Sequence, residues 1–179
     1  MAAVLATVWV TVAAVTKPTP LNPVHYETAT LAGGCFWSLQ ETLRQIPGVI
    51  KTTVGYTGGT TPNPTYGLVS AGKTGHTEAV EVRFDPAKLS YEELLKDFLT
   101  ARSPTQASRV SASHRSTIFY HNEAQRQTAA RIKENINASG IVNSPVAAVI
   151  TPATDFYPAE EYHQDYYRKT AAVHACQLE

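Results

Sequence analysis

The chain has 179 residues, fifteen Lys and Arg against fifteen Asp and Glu, and a formal net charge of zero. That length suits one domain with a core that needs no disulfide staples. The charge balance leaves neither a basic stripe for nucleic acid nor a polybasic patch for a membrane. Two cysteines, Cys35 and Cys176, are too few for a disulfide scaffold, and no CxxC pair offers a structural zinc site.

Ala2 to Val15 is an apolar run followed by Lys17-Pro-Thr-Pro. It is short for a membrane span and fits the apolar part of a cleaved leader, but no cation precedes Lys17. Residues 1–22 are therefore read as an extension or a leader, 23–170 as the folded domain and 171–179 as a tail. Cytoplasmic placement is expected, with secretion or an organelle as the outcome if the run is a leader.

Tyr26 to Ala32 reads as a strand running into Gly33-Gly34. Phe36, Leu39, Leu43 and Ile46 then recur at helical spacing until Pro47-Gly48 stops them. Val49 to Tyr56 is β-branched and strand-like, and Thr57 to Ala71, rich in Gly, Pro, Thr and Asn, reads as a long irregular functional loop. Thr77 to Phe84 alternates as the next strand. Ser90-Tyr-Glu-Glu93 is a capping box for a helix that buries Leu94, Leu95, Phe98 and Leu99. Ser116 to Tyr120 is a fourth strand, Asn122 caps a helix with Ala129, Ile132 and Ile136 on one stripe, and Val146 to Ile150 is a last short strand. The βαββαβ order from Tyr26 to Tyr120 predicts an α+β, ferredoxin-like sandwich with an extra helix and a long irregular C-terminal segment.

Cys35 lies where a strand hands over to a helix, after two glycines that permit a tight turn. The positive end of that helix favours a thiolate. On its own the residue reads either as a nucleophile or as a small buried hydrophobe. Phe36 and Trp37 follow at once; Phe36 fits the helix stripe and Trp37 does not. Glu78 shares a strand face with Val80, Val82 and Phe84, because side chains repeat every two residues. A carboxyl on an apolar face is favoured in its protonated, donating form. The other reading is that Glu78 reaches water from the strand end. Glu81 points to the opposite face as a solvated charge.

These two sites together resemble the methionine sulfoxide reductase A family. The match runs from Thr28-Ala-Thr-Leu-Ala-Gly-Gly-Cys35-Phe-Trp37 through Ile46-Pro-Gly-Val49, Val54-Gly-Tyr-Thr-Gly-Gly59, Asn63-Pro-Thr-Tyr66 and Thr74-Gly-His-Thr-Glu78 to Phe156-Tyr-Pro-Ala-Glu-Glu-Tyr-His-Gln164. The resemblance implies reduction of the S epimer of methionine sulfoxide, free or in proteins, with Cys35 as nucleophile and Glu78 as proton donor. Cys35 would end as a sulfenic acid. Phe36 and Trp37 would hold the ε-methyl group, and Tyr66 would help bind the sulfoxide oxygen. Cys176, on a tail able to arrive after substrate has left, would resolve the sulfenate into a disulfide for thioredoxin to reduce. No metal or bound organic cofactor is implied, and a monomer is expected. His163, in the family's Glu-x-x-His-Gln segment, is expected to orient its loop by hydrogen bonds, with Tyr162, Tyr166 and Tyr167 as packing.

One segment departs from the family. Where Asp-Pro-Thr, a Gly- and Asn-rich stretch with an Asp, and Gly-Thr-Gln-Tyr-Arg-Ser are usual, this chain has Ser103-Pro-Thr-Gln-Ala-Ser-Arg109, then only Val110-Ser-Ala-Ser113 before His114-Arg-Ser116. His114 replaces the Tyr that helps bind the sulfoxide oxygen, with a shorter reach and a pH-dependent charge. Ser38 and Gln40 stand where Gly and Glu are usual. Losing one positioned donor to a developing charge costs roughly 2.7–4 kcal/mol, so a weaker reductase than is typical is expected. The alternative is a family member that only binds methionine sulfoxide or a protein partner.

Overall fold

The computed structural model describes residues 25–101, 112–142 and 145–170. The readings for the N-terminal run, the 103–109 segment and Cys176 lie outside these residues.

Six strands form one sheet: β1 (Glu27–Ala32), β2 (Val49–Thr57), β3 (Thr77–Phe84), β4 (Thr117–Tyr120), β5 (Val149–Pro152) and β6 (Tyr157–Pro158). Among the described residues four α-helices connect strands, α1 (Phe36–Arg44), α2 (Tyr66–Ser70), α3 (Tyr91–Ala101) and α4 (Glu123–Ser139), and α5 (Tyr166–Thr170) follows β6. The strand order is β5-β4-β1-β3-β2-β6. β1 pairs antiparallel with β3 and β4, and β3 pairs antiparallel with β2. β1 and β2, linked through α1, therefore run parallel with β3 between them, which is the split βαβ arrangement. β5 extends the sheet parallel to β4, and β6 pairs antiparallel with β2 at the other edge.

The expected elements form, with a few differences, among them the short helix α5 inside the C-terminal segment expected to be irregular. The last predicted strand lies a few residues later, at Val149–Pro152. The 57–71 stretch holds the short helix α2, and β6 adds a strand that the pattern does not announce. The capping box is complete, with Glu93 accepting from the Ser90 N–H at 2.9 Å and Ser90 Oγ accepting from the Glu93 N–H at 3.2 Å. Asn122 accepts from the Gln125 N–H at 2.9 Å, and α4 stops at Gly140 in the left-handed conformation (φ +71°).

Alternation decides which face is covered. Leu31, Val54, Val80 and Val82 point at α1 and α3 and form the main core with Leu39, Leu43, Leu95 and Phe98. Ala32, Ala79 and Phe119 form a smaller apolar cluster on the other face. Among the described residues no helix is long and apolar enough to cross a membrane, and no cluster of three or more His, Cys, Asp or Glu side chains could hold a metal ion.

Candidate active site

β1 delivers the chain to Gly33-Gly34, and Gly34 turns it with φ +75°. A side chain at position 33 would press on the Phe98 ring at 3.1 Å, so this close approach also needs glycine. Cys35 then occupies the N-cap position of α1, half-buried, and its side chain makes no capping hydrogen bond. The unsatisfied amides of the first helical turn lie beside it and favour a thiolate.

One of those amides is taken by Glu78. The Phe36 N–H donates to Glu78 Oε2 at 2.9 Å, and Glu78 is only 2% exposed. The strand parity thus places this carboxyl in the core, against the helix end that carries Cys35. Its other oxygen lies 3.3 Å from His114 Nε2. The His114 carbonyl accepts from the Gly34 N–H at 3.1 Å, and Thr77 Oγ1 donates to the Ser113 carbonyl at 2.8 Å. The shortened segment therefore ends by packing its His against the acid.

An aromatic wall closes the site. Phe36 lies within 5.2–6.4 Å, centroid to centroid, of His163, Tyr56, Trp37 and Tyr66. Trp37, off the core stripe, stacks on Tyr166 at 3.9 Å with 9° between the planes. Its indole N–H donates to His163 Nδ1 at 3.0 Å. His163 thus orients Trp37, whereas its own segment is held by Gln164 and Glu160. Gln164 imitates a strand, accepting from the Val54 N–H at 3.0 Å and donating to the Val54 carbonyl at 2.9 Å. Tyr167 is buried and Tyr166 packs on Trp37, but Tyr162 is 60% exposed and covers His163 from the outside.

Glu160 and Tyr56 are the site residues that the sequence reading missed. Glu160 accepts from the Tyr56 hydroxyl at 2.8 Å and from the Tyr66 N–H at 3.0 Å, tying β2 to the start of α2. Burial pushes the Glu160 pKa up, but the Tyr66 and Glu160 N–H groups, the Tyr56 hydroxyl and nearby His163 outweigh it and leave it below the usual value. Burial first, and the bond to Glu160 second, push the Tyr56 phenol well above its ordinary value. Tyr56 lies opposite Glu78 in the β2–β3 register, so parity alone could have placed it on this face. Glu160 carries no such signal, because its partners lie 94 and 104 residues away.

Two further polar residues hold the frame. Gln40 donates to the Thr52 carbonyl at 3.4 Å and accepts from the Asp165 N–H at 2.9 Å. An amide can do both, whereas an ionised carboxylate at this position could only accept. His76, 3% exposed, accepts from the Gly59 N–H at 3.1 Å through Nδ1 and donates to the Thr61 carbonyl at 2.8 Å through Nε2, closing the loop after β2.

Residues 27–179 match the family described as peptide methionine sulfoxide reductase. A protein named peptide methionine sulfoxide reductase MsrA from Listeria innocua is 50% identical over 150 residues, 82% of this chain and 85% of its own length. The chain belongs to the peptide methionine sulfoxide reductase family. It is therefore an oxidoreductase by descent.

Solved structures agree with that membership. Methionine sulfoxide reductase A of Corynebacterium diphtheriae superposes with a TM-score of 0.73 at 34% identity, covering 84% of this chain and 77% of that one. Mxr1 from Saccharomyces cerevisiae, in complex with Trx2, superposes with a TM-score of 0.59 at 27% identity, covering 84% and 91%.

Glu160→Gln in this reductase-family chain is expected to lower stability by about 1.5–3 kcal/mol, the range for a bond to a charged group. An amide oxygen can serve one of the two donors but not both with full charge. Urea unfolding with an unchanged m-value checks this, and a loss below about 0.5 kcal/mol would deny Glu160 its anchoring role.

Proposed function

We propose that this protein reduces the S epimer of methionine sulfoxide, free or in proteins, and is recycled by thioredoxin. The observation that carries the reading is the bond from the Phe36 N–H to Glu78 Oε2, because it sets a buried carboxyl against the helix end that presents Cys35. A thiolate beside a desolvated acid is what this reaction requires.

Cys35 Sγ attacks the sulfoxide sulfur while Glu78 gives its proton to the oxygen. The sulfur–oxygen bond of the substrate breaks and the oxygen ends on Sγ. Methionine sulfur is reduced by two electrons, Cys35 is oxidised by two to a sulfenic acid, and Glu78 is left as carboxylate. Phe36 and Trp37 hold the ε-methyl group, and Tyr66, whose ring stacks 6.4 Å from Phe36, helps bind the sulfoxide oxygen. The Cys176 thiolate then displaces hydroxide from Cys35 Sγ, released as water after protonation, and thioredoxin reduces the resulting disulfide.

The position of His114 supports a reductase slower than its relatives. With its Nε2 3.3 Å from Glu78, it is spent on the acid, where a Tyr hydroxyl would serve the sulfoxide oxygen.

Mass spectrometry after incubation with each epimer of methionine sulfoxide tests the proposal. The S epimer should yield methionine and a Cys35–Cys176 disulfide, and Cys176→Ser should instead accumulate one oxygen on Cys35. Fully reduced wild type beside unconsumed substrate would sink the reductase reading and leave a binding protein.

A further inference from the structure

Each turnover leaves Glu78 as a carboxylate, so one proton must return to it before the next. Glu78 is only 2% exposed, and its Oε2 is held by the Phe36 N–H at 2.9 Å. A peptide N–H keeps its proton at neutral pH, so that bond holds the carboxyl without refilling it. The other oxygen, Oε1, lies 3.3 Å from His114 Nε2, and the His114 side chain is 30% exposed. The pair thus joins a buried acid to a ring that reaches water.

His114 is held in place from two sides. It ends a single 3-10 turn, Ala112–His114, whose last carbonyl accepts from the Gly34 N–H at 3.1 Å. One residue earlier, the Ser113 carbonyl accepts from Thr77 Oγ1 on β3 at 2.8 Å. An imidazole titrates near neutral pH and has two ring nitrogens, so it can take up a proton at one and release one from the other. The Tyr usual in the family at this position cannot, because a phenol holds its proton to about pH 10.

Other titratable groups surround the pair. Tyr56 on β2 and His163 before α5 act on Glu78 electrostatically. Tyr56 is fully buried and spends its hydroxyl on Glu160 at 2.8 Å. His163 is 2% exposed, and its Nδ1 accepts from Trp37. Neither links Glu78 to water. Cys35 sits at the N-cap of α1, and Arg115, next to His114 in the chain, turns its guanidinium to the Gly75 carbonyl at 2.9 Å. Within this group His114 combines contact with the carboxyl and access to solvent.

We infer that His114 is the route by which Glu78 regains its proton after each turnover. The imidazolium passes its Nε2 proton to Glu78 Oε1, which leaves a neutral carboxyl and a neutral ring. The ring then takes a proton from hydronium or a buffer acid, and a half-turn of the ring presents an N–H to Oε1 again. Only N–H and O–H bonds change, and no oxidant or reductant takes part. The inference rests on the reading of Glu78 as proton donor given above. His114 acts through Glu78 and not on the substrate, so its loss should fall on kcat and spare KM.

His114→Gln separates a proton path from a structural prop. Its amide can donate to Oε1 but takes up no proton, so the tie remains and the path is cut. With the S epimer and excess dithiothreitol, kcat should fall about tenfold, less than the hundredfold or more expected for the acid itself. Added imidazole should restore kcat saturably toward the wild-type value and leave wild type unchanged. A variant with wild-type kcat, or one whose slower kcat ignores imidazole, would overturn the inference. Nuclear magnetic resonance of the Glu78 carboxyl carbon and the His114 ring reads the path in wild type without turnover. A proton shared by touching groups gives midpoints that belong to both, so the two signals should titrate together. A carboxyl signal that ignores titration of the ring would overturn the inference even if the variant misfolds. Should the two titrate together while neither epimer is consumed, the reductase reading fails and the Glu78–His114 path stands.

Discussion

Replacing Glu78 with Gln is expected to slow methionine release in a single turnover by about a hundredfold to ten-thousandfold while leaving the fold intact. Gln keeps an oxygen that can accept the Phe36 N–H, so the 2.9 Å tie between β3 and the start of α1 survives. It cannot give up a proton, and an unprotonated oxide is a poor leaving group. The loss should therefore fall on the chemical step and not on Cys35 itself. Alkylation of Cys35 by iodoacetamide should proceed at nearly the wild-type rate, because the helix end that favours the thiolate is unchanged. Quenched-flow measurement of methionine release reads the effect. A rate within about threefold of wild type would show that Glu78 is a structural carboxyl, since general acids contribute far more than that. Glu78→Ala differs in kind. It leaves the Phe36 N–H buried and unpaired, which costs about 1–3 kcal/mol, so it should lower the unfolding midpoint as well as the rate.

Glu78 shows how far a sequence reading reaches. Its place on the core face followed from counting in twos along β3, and the 2% exposure agrees with that count. Cys35 followed from a strand meeting a helix across two glycines, and it is the N-cap. The capping box at Ser90 and the cap at Asn122 were legible because a helix start is specified by residues three or four apart. In each case the cause lies within a few residues of the effect.

The remainder of the site has causes far along the chain. β6 has two residues, one of them a proline, so it shows no alternation that could mark it as a strand. Beside it on β2, Val54 is bonded by the side chain of Gln164, 110 residues away, and no periodicity encodes such a bond. Glu160 is the same kind of case, a charge that reads as solvated until Tyr56 and Tyr66 are brought to it. The loop assigned to 57–71 concealed α2 because five residues are too few for a helical stripe to emerge. The departure at Gln40 looked like damage in the sequence. In the fold the amide joins β2 to the segment at Asp165.

Because the aromatic wall depends on that distant edge, a methyl group at Gly55 should disable the site from behind. Gly55 pairs with Pro158 in the β2–β6 register. A Cβ there would lie 2.4 Å from the Tyr157 carbonyl oxygen and 2.5 Å from Phe156 Cζ. One obstacle is backbone, so no rotamer change relieves it, and β6 must move off β2. Ala159 would then lose its 2.9 Å bond to the Val54 carbonyl. Glu160 follows directly in the chain, with Tyr56 and Tyr66 depending on it, and His163 lies three residues further on, holding Trp37. Gly55→Ala is thus expected to cost about 1–3 kcal/mol from overpacking alone. That corresponds to a fall of about 2–12 °C in the unfolding midpoint for a domain of this size. KM for the sulfoxide should rise with it. Gly67→Ala supplies the contrast, because position 67 lies in α2 with nothing within 4 Å of an added Cβ. It should leave the midpoint unchanged or raise it slightly, since Ala suits a helix better than Gly. Thermal unfolding and KM measured on both variants decide the matter. If Gly55→Ala matched Gly67→Ala in both, β6 would not be the strut that holds the aromatic wall in place.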